Sequence, residues 1–143
     1  DGAHDPETLL DELRTVLWGH AGILRDEGGL EAGLDKVASI RQRATDLDVG
    51  PVDSGSFEYA LDLGFALVVA EAILRGAAER CESRGAHHRT DHPETRPEFQ
   101  HNITAAIDSI GAMRLSTAST GAPSTDVQDA LDAGHELDYH QLE

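Results

Sequence analysis

Apolar residues recur along the first half of the chain at steps of three and four, the spacing that places side chains on one face of an α-helix. Leu9, Leu10, Leu13, Val16, Leu17 and His20 form one such stripe, and Leu30, Leu34, Val37, Ile40, Ala44 and Leu47 a second. Glu31, Asp35, Arg41 and Arg43 lie mostly off the second stripe, so it predicts an amphipathic helix with one solvated side. The first helix has a clear start: Asp5 is a cap for free amides, Pro6 sits where its missing N–H is harmless, and Glu7 faces the positive pole. Its stripe ends near Gly22 to Arg25, and Gly28-Gly29 is expected to break the chain. A third run, from about Phe57 to Glu82, is apolar nearly all round and predicts a helix spanning about 39 Å. Gly50-Pro51 and Ser54-Gly55 form the linker before it, with Ser54 or Ser56 as the candidate cap. Two amphipathic helices cover only part of an all-round apolar one, which leaves a face for another structure. Asp62, Glu71 and Arg75 interrupt the apolar run from Ala60 to Ala78, so it reads as a core helix and not a membrane span.

The period changes after Pro93. Phe99 to Ile107 and Met113 to Ala118 are short, apolar and β-branched, and the turn formers Asp108-Ser109-Ile110-Gly111-Ala112 between them predict a hairpin. Pro123-Ser124-Thr125-Asp126 restarts a helix, with Val127, Ala130 and Leu131 on one side and Gly134 as its stop. The expected fold is therefore all-α: an up-and-down, spectrin-repeat-like three-helix bundle with a small irregular C-terminal appendage. Residues 1–98 would form the bundle and the loop after it, and residues 99–143 an appendage packed on it.

Composition narrows the partners. Hydrophobic residues make up 39% of the 143 but aromatics only 4%, so the core must be Leu, Ile, Val and Ala. Asp and Glu number 27 against 11 Lys and Arg, for a formal charge of -16, and Lys36 is the only lysine. Such a surface suits molar salt, whose screening tolerates self-repulsion, and it points to a halophile. It excludes nucleic acid as a partner, which would need a basic face. Cys81 is the single cysteine, so no internal disulfide forms, as expected of a reducing compartment. The opening Asp1-Gly2-Ala3-His4-Asp5 reads as the middle of a longer protein.

Against this acidic background, Arg80 to Pro93 gathers three arginines and three histidines directly after the longest apolar run. An arginine-bearing helix end with Gly85 just beyond it predicts a left-handed cap, and His92-Pro93 bars any return to helix. Arg84, His87, Arg89 and Asp91 are the candidate site residues: the arginines would dock on another domain through bidentate contacts, with Asp91 holding one of them in place. The competing reading is that the loop only caps the third helix and folds back on its own bundle. Cys81, His87, His88, His92 and His101 have zinc-ligand chemistry, but their spacings match no common finger, so no metal site is assigned. Ser83 or Cys81 with His87 as base lacks a third, orienting group. Gly28-Gly29-Leu30-Glu31-Ala32-Gly33 is not G-x-G-x-x-G and follows no strand, so no dinucleotide site is expected. Trp18 is expected in the core. Arg25, the fifth candidate docking residue, would pair with Asp26, Glu27 or another domain.

The run Glu82-Ser83-Arg84-Gly85-Ala86-His87-His88-Arg89-Thr90-Asp91-His92-Pro93 resembles the ESRGAHxRxDxP signature of the C-terminal helical domain of succinate dehydrogenase and fumarate reductase flavoprotein subunits. L-aspartate oxidases are similar but usually diverge within it. Leu17-Trp18-Gly19-His20-Ala21-Gly22-Ile23-Leu24-Arg25-Asp26-Glu27 is similar to the family's MWxxxGIxRxEE element. The resemblance implies a fragment of an FAD-dependent oxidoreductase that interconverts succinate and fumarate in the tricarboxylic acid cycle and electron transport. FAD and the catalytic residues would lie outside this chain, which would be inactive alone. The implied partners are the flavin-binding and capping domains of the parent chain and an iron-sulfur subunit. The implied location is cytoplasmic, at the inner face of the cell membrane through partner subunits. Dimerisation of the isolated domain through exposed core surface is a further expectation. The alternatives are an L-aspartate oxidase domain and an independent helical interaction module.

Overall fold

Three helices carry the periodic stripes in this computed structural model, which describes residues 2–51 and 55–133. Helix α1 (Pro6–His20) starts on Asp5, whose carboxylate accepts the Thr8 amide at 2.8 Å. Strand β1 (Leu24–Arg25) leads into helix α2 (Glu27–Arg43), and helix α3 (Gly55–Glu79) follows. Beyond α3 come strand β2 (His88–Arg89), a 3₁₀ turn (Pro97–Phe99), strands β3 (His101–Ile107) and β4 (Met113–Ser119), and helix α4 (Thr125–Asp132). Each of α1, α2 and α3 packs on the other two, so the architecture is a helical bundle with a small appendage, as expected.

The core is aliphatic. Leu9, Leu10, Leu13 and Val16 of α1 meet Leu30, Val37 and Ile40 of α2 and a stripe on α3 that runs Leu63, Leu67, Ala70, Leu74, Ala77. The four-three alternation along α3 keeps one seam against its neighbours. Each fully buried leucine contributes about 1.5–3 kcal/mol. The three helices approach closely at Gly33, where a Cβ would lie 2.9 Å from His20 Cβ and 2.9 Å from a Leu74 methyl.

Several boundaries differ from the periodic reading. Gly28-Gly29 does not break the chain but lies in the first turn of α2. Asp26 caps it, accepting the Gly29 amide at 2.7 Å, and this outweighs the poor helix propensity of glycine. Ser56 lies inside α3 and is not its cap, and Ser54 lies outside the described residues. Helix α3 ends at Glu79, three residues short of the expected Glu82. Gly85 does adopt a positive φ, 57°, but in a two-residue turn between Arg84 and His87 and not as a helix cap. Trp18 is 89% exposed, not core: it follows Val16 by two residues, about 200° around the helix from the buried face.

The expected hairpin forms, with β3 and β4 antiparallel and in register from His101 opposite Ser119 to Ile107 opposite Met113. Asp108 organises its turn, accepting the Ile110 and Ala112 amides at 3.0 and 2.9 Å. The hairpin rests on α3 through Met113, which is buried and whose carbonyl accepts from Arg75 Nη1 at 2.9 Å. Helix α4 restarts within the expected Pro123–Asp126 segment, with Ser124 as its cap, while its proposed stop, Gly134, and the closing Glu136–Glu143 lie outside the described residues.

The open face of α3 is present too. Leu61, Phe65, Val68, Val69 and Ile73 are all between 41% and 71% exposed. No helix among the described residues is long and apolar enough to cross a membrane.

Candidate functional site

The loop after α3 is built around two carboxylates. Glu82 is fully buried and accepts four donors: Arg80 Nη1 at 2.6 Å and Arg84 Nε at 2.9 Å on Oε1, Arg84 Nη2 at 3.1 Å and the Arg96 amide at 2.8 Å on Oε2. Pairing with Arg84 first, then the Arg96 amide and Arg80, holds its pKa down to about 2 against the opposing effect of burial. Asp91 accepts Arg89 side-on, Nε to Oδ1 at 2.7 Å and Nη2 to Oδ2 at 2.7 Å, which holds its carboxyl well below the usual range.

Arg89 is the centre of the loop and is only 1% exposed. Its Nη1 points at the last carbonyls of α3, Ala77 at 3.2 Å and Ala78 at 3.3 Å, with Arg80 at 3.4 Å. These acceptors have no intrahelical partner, and a cation there opposes the negative pole of the helix. Asp91 also accepts the Glu27 amide at 2.9 Å, so one ion pair joins the end of α3 to the start of α2. Ser83 Oγ accepts the Arg89 amide at 2.9 Å and donates to the His92 carbonyl at 2.9 Å.

The second resemblance segment meets the first through a two-residue parallel ladder, Leu24 beside His88 and Arg25 beside Arg89. Arg25 donates to the Gly22 and Ala21 carbonyls at 2.6 and 3.0 Å and to His87 Nδ1 at 2.7 Å. A guanidinium only donates and a carbonyl only accepts, so His87 must accept at Nδ1 and donate Nε2–H to the Arg80 carbonyl, 3.0 Å away. His87 is therefore neutral: burial pushes its pKa below the ordinary histidine value, and the nearby charges of Arg25, Arg89 and Arg80 act in the same direction.

The loop thus brings Arg25, His87, Arg89 and Asp91 together and sets Arg84 beside them on Glu82. Arg89 faces its own bundle, so its guanidinium has no free path to another domain, and with Asp91 it shapes the loop. Arg84 is engaged by Glu82 and keeps its side chain 41% exposed. Arg25 pairs with His87 and two carbonyls and not with Asp26 or Glu27. Sequence reasoning passed over Glu82, although a carboxylate two residues from an arginine on either side, Arg80-x-Glu82-x-Arg84, was a readable signal in so acidic a chain.

Other chemistries find little here. Among the described residues no three His, Cys, Asp or Glu side chains gather as a metal set, and both ring nitrogens of His87 are engaged. Ser83 bonds backbone, not His87. A flavin dinucleotide does not fit the glycine-rich start of α2, because the Asp91 and Asp26 carboxylates already take the Glu27 and Gly29 amides and would repel a pyrophosphate.

Two of the hollows that flank the hairpin are lined by Ile73 of α3. One, of about 400 Å³, lies between α3 and β3 and is lined by Arg25, Arg80, His87, Ile73, Ile103 and Leu115 among others. The other, of about 360 Å³, is apolar and lies along Val68, Val69, Ile73, Ile107 and Met113.

The sequence model of the family described as "Fumarate reductase flavoprotein C-term" matches residues 10–129. The chain belongs to that family. It is 38% identical over 106 residues to a subunit of the fumarate reductase (CoM/CoB) of Methanothermobacter marburgensis, covering 72% of this chain and 19% of that protein. It is 40% identical over 93 residues to an L-aspartate oxidase of Pyrococcus horikoshii, covering 65% of this chain and 16% of that one. A solved quinol fumarate reductase flavoprotein of E. coli superposes with a TM-score of 0.80 at 27% identity, covering 87% of this chain and 22% of that one. The chain therefore spans between 16% and 22% of the length of these relatives.

Proposed function

We propose that this domain braces the flavin-binding and capping domains of a parent flavoprotein subunit, which cover the open face of α3. One observation carries the proposal: Leu61, Phe65, Val68, Val69 and Ile73 form a contiguous apolar face that the chain's own elements leave exposed. Nearby, the loop of Arg84, His87, Arg89, Asp91 and Arg25 stiffens the end of α3 and fixes how that face is presented. In this reading residues 1–98 are the bracing unit and residues 99–143 an appendage packed beside the docking face.

The parent reaction is the interconversion of succinate and fumarate, by hydride transfer between the substrate carbon and FAD, with electrons passing to an iron-sulfur subunit. The parent family is FAD-dependent. The flavin and the catalytic side chains belong to the rest of the parent chain, and partner subunits hold the assembly at the inner face of the cell membrane. A cytoplasm of high salt suits the charge of -16. A second reading, an L-aspartate oxidase, draws on the 40% identity to the Pyrococcus horikoshii enzyme and makes the parent substrate an amino acid.

Titrating the chain into a separately produced flavin-bearing portion, followed by calorimetry in high salt, tests the proposal. Binding with a negative heat-capacity change is expected, and it should weaken in a Phe65→Asp, Val69→Asp variant. A folded, monomeric chain that does not bind would overturn the bracing role.

A further inference from the structure

Every arginine of the chain but one lies within salt-bridge reach of a carboxylate: Arg14, Arg41, Arg43, Arg75, Arg80, Arg84, Arg89, Arg96 and Arg114 are all paired. Arg25 is the exception among the described residues. Its hydrogen bonds go to the neutral acceptors Gly22 O, Ala21 O and His87 Nδ1. Burial alone lowers its pKa, with no anion acting the other way. In a chain where acids outnumber bases 27 to 11, an uncompensated cation is a selective feature. A desolvated charge is costly unless it is paired.

The geometry around Arg25 specifies the missing partner. A guanidinium carries five N–H donors, and Arg25 engages Nε and one N–H on each terminal nitrogen. One N–H on Nη1 and one on Nη2 remain, the number a carboxylate accepts in a bidentate pair. His87 beside it is held neutral and cannot serve as the counter-charge. Arg25 lines the hollow between α3 and β3, whose Ile73, Ile103 and Leu115 walls suit the aliphatic stem of a side chain. Ile73 also belongs to the open face of α3, so the hollow continues the proposed docking surface.

We propose that Arg25 receives an aspartate or glutamate side chain from the flavin-bearing remainder of the parent chain, seated in the hollow between α3 and β3. This rests on the bracing role above and names its polar anchor. The occupant is the parent chain because the relatives extend far beyond the part matched here, and because charge complementarity calls for an acid at this position. The pair would be desolvated on docking, so it fixes register as well as adding affinity.

The test is calorimetric titration of the chain into the flavin-bearing portion, at low and at molar salt. Arg25→Gln should lose about thirtyfold or more in affinity and show a shallower salt dependence than the wild type. Arg25→Lys should recover part of the loss, since it keeps the charge without the fork. Arg114→Gln, which loses an exposed hairpin arginine paired with Asp108, should bind as the wild type does. Because Arg25 also holds two carbonyls of its own loop, the wild-type Arg25 guanidinium and His87 ring resonances are followed by NMR in parallel. They should shift selectively on complex formation. Wild-type affinity and salt dependence in Arg25→Gln, or unshifted Arg25 and His87 resonances in a formed complex, would overturn the carboxylate anchor and leave the bracing role standing. Failure of the wild-type chain to bind would overturn both.

Discussion

Removal of the Arg89 guanidinium should be among the most damaging single changes in this chain. Arg89→Ala takes a 1% exposed cation away from two short bonds to Asp91 and from the terminal carbonyls of α3. Asp91 is 29% exposed and keeps the Glu27 amide, so water can partly resolvate it. The α3 carbonyls are more enclosed and lose their cation outright. Breaking a buried pair by removing one partner costs about 3–5 kcal/mol, and partial resolvation of Asp91 argues for the lower half of that range. The entropy of unfolding of a domain this size converts 1 kcal/mol to about 3 °C in Tm, so a fall of roughly 10 °C is expected. Thermal melts by circular dichroism, with urea melts alongside, give the number. Asp91→Asn keeps an acceptor for the Glu27 amide and should cost less. A drop of under about 3 °C for Arg89→Ala would refute the claim that this arginine holds the end of α3.

Glu82 makes the loop acid-sensitive. Its folded pKa lies below its ordinary value, so its pairing contributes stability that is fully present above about pH 4.5 and is lost as pH falls towards about 2. Glu82→Gln should lower Tm at neutral pH and flatten the fall between pH 5 and 2, which a pH series of melts will show. His87 also has a lowered pKa, so its neutral form favours folding and its contribution fades as pH falls below the ordinary histidine value. Nitrogen-detected NMR at pH 6.5 should find its ring uncharged and protonated at Nε2; a charged ring would contradict the bond from Arg25. Gly33→Ala should destabilise despite a gain in helix propensity of about 1 kcal/mol, because the new methyl meets His20 and Leu74 at 2.9 Å, and a lower Tm in a standard melt is the check.

The bundle was legible because its physics is periodic. Leu9, Leu10, Leu13 and Val16, then Leu30, Val37 and Ile40, recur at helical spacing and are the residues that end up buried. The hairpin and the start of α4 were readable from the turn formers and the Pro123–Asp126 segment because those signals are local. What pattern did not reveal depended on contacts between distant segments. Asp91 helps to start α2 from 64 residues away, and Arg89 stops α3 from beyond Gly85. A local reading therefore set the α2 start too late and the α3 end too late. Trp18 is adjacent in sequence to the stripe residue Leu17 but is 89% exposed, because its helical phase points away from the buried face. Charge alone does not distinguish Arg89, whose carboxylate partner Asp91 lies within the loop, from Arg25, whose hydrogen bonds go only to neutral acceptors.

The central claim is that the open face of α3 is covered by the flavin-bearing remainder of the parent chain. Hydrogen exchange by mass spectrometry, with and without that portion, reads it directly. The account predicts slower exchange across Phe57 to Ile73 and at Arg25, with the solvent-facing side of α1 unchanged. Unaltered exchange along α3 in a formed complex would contradict it.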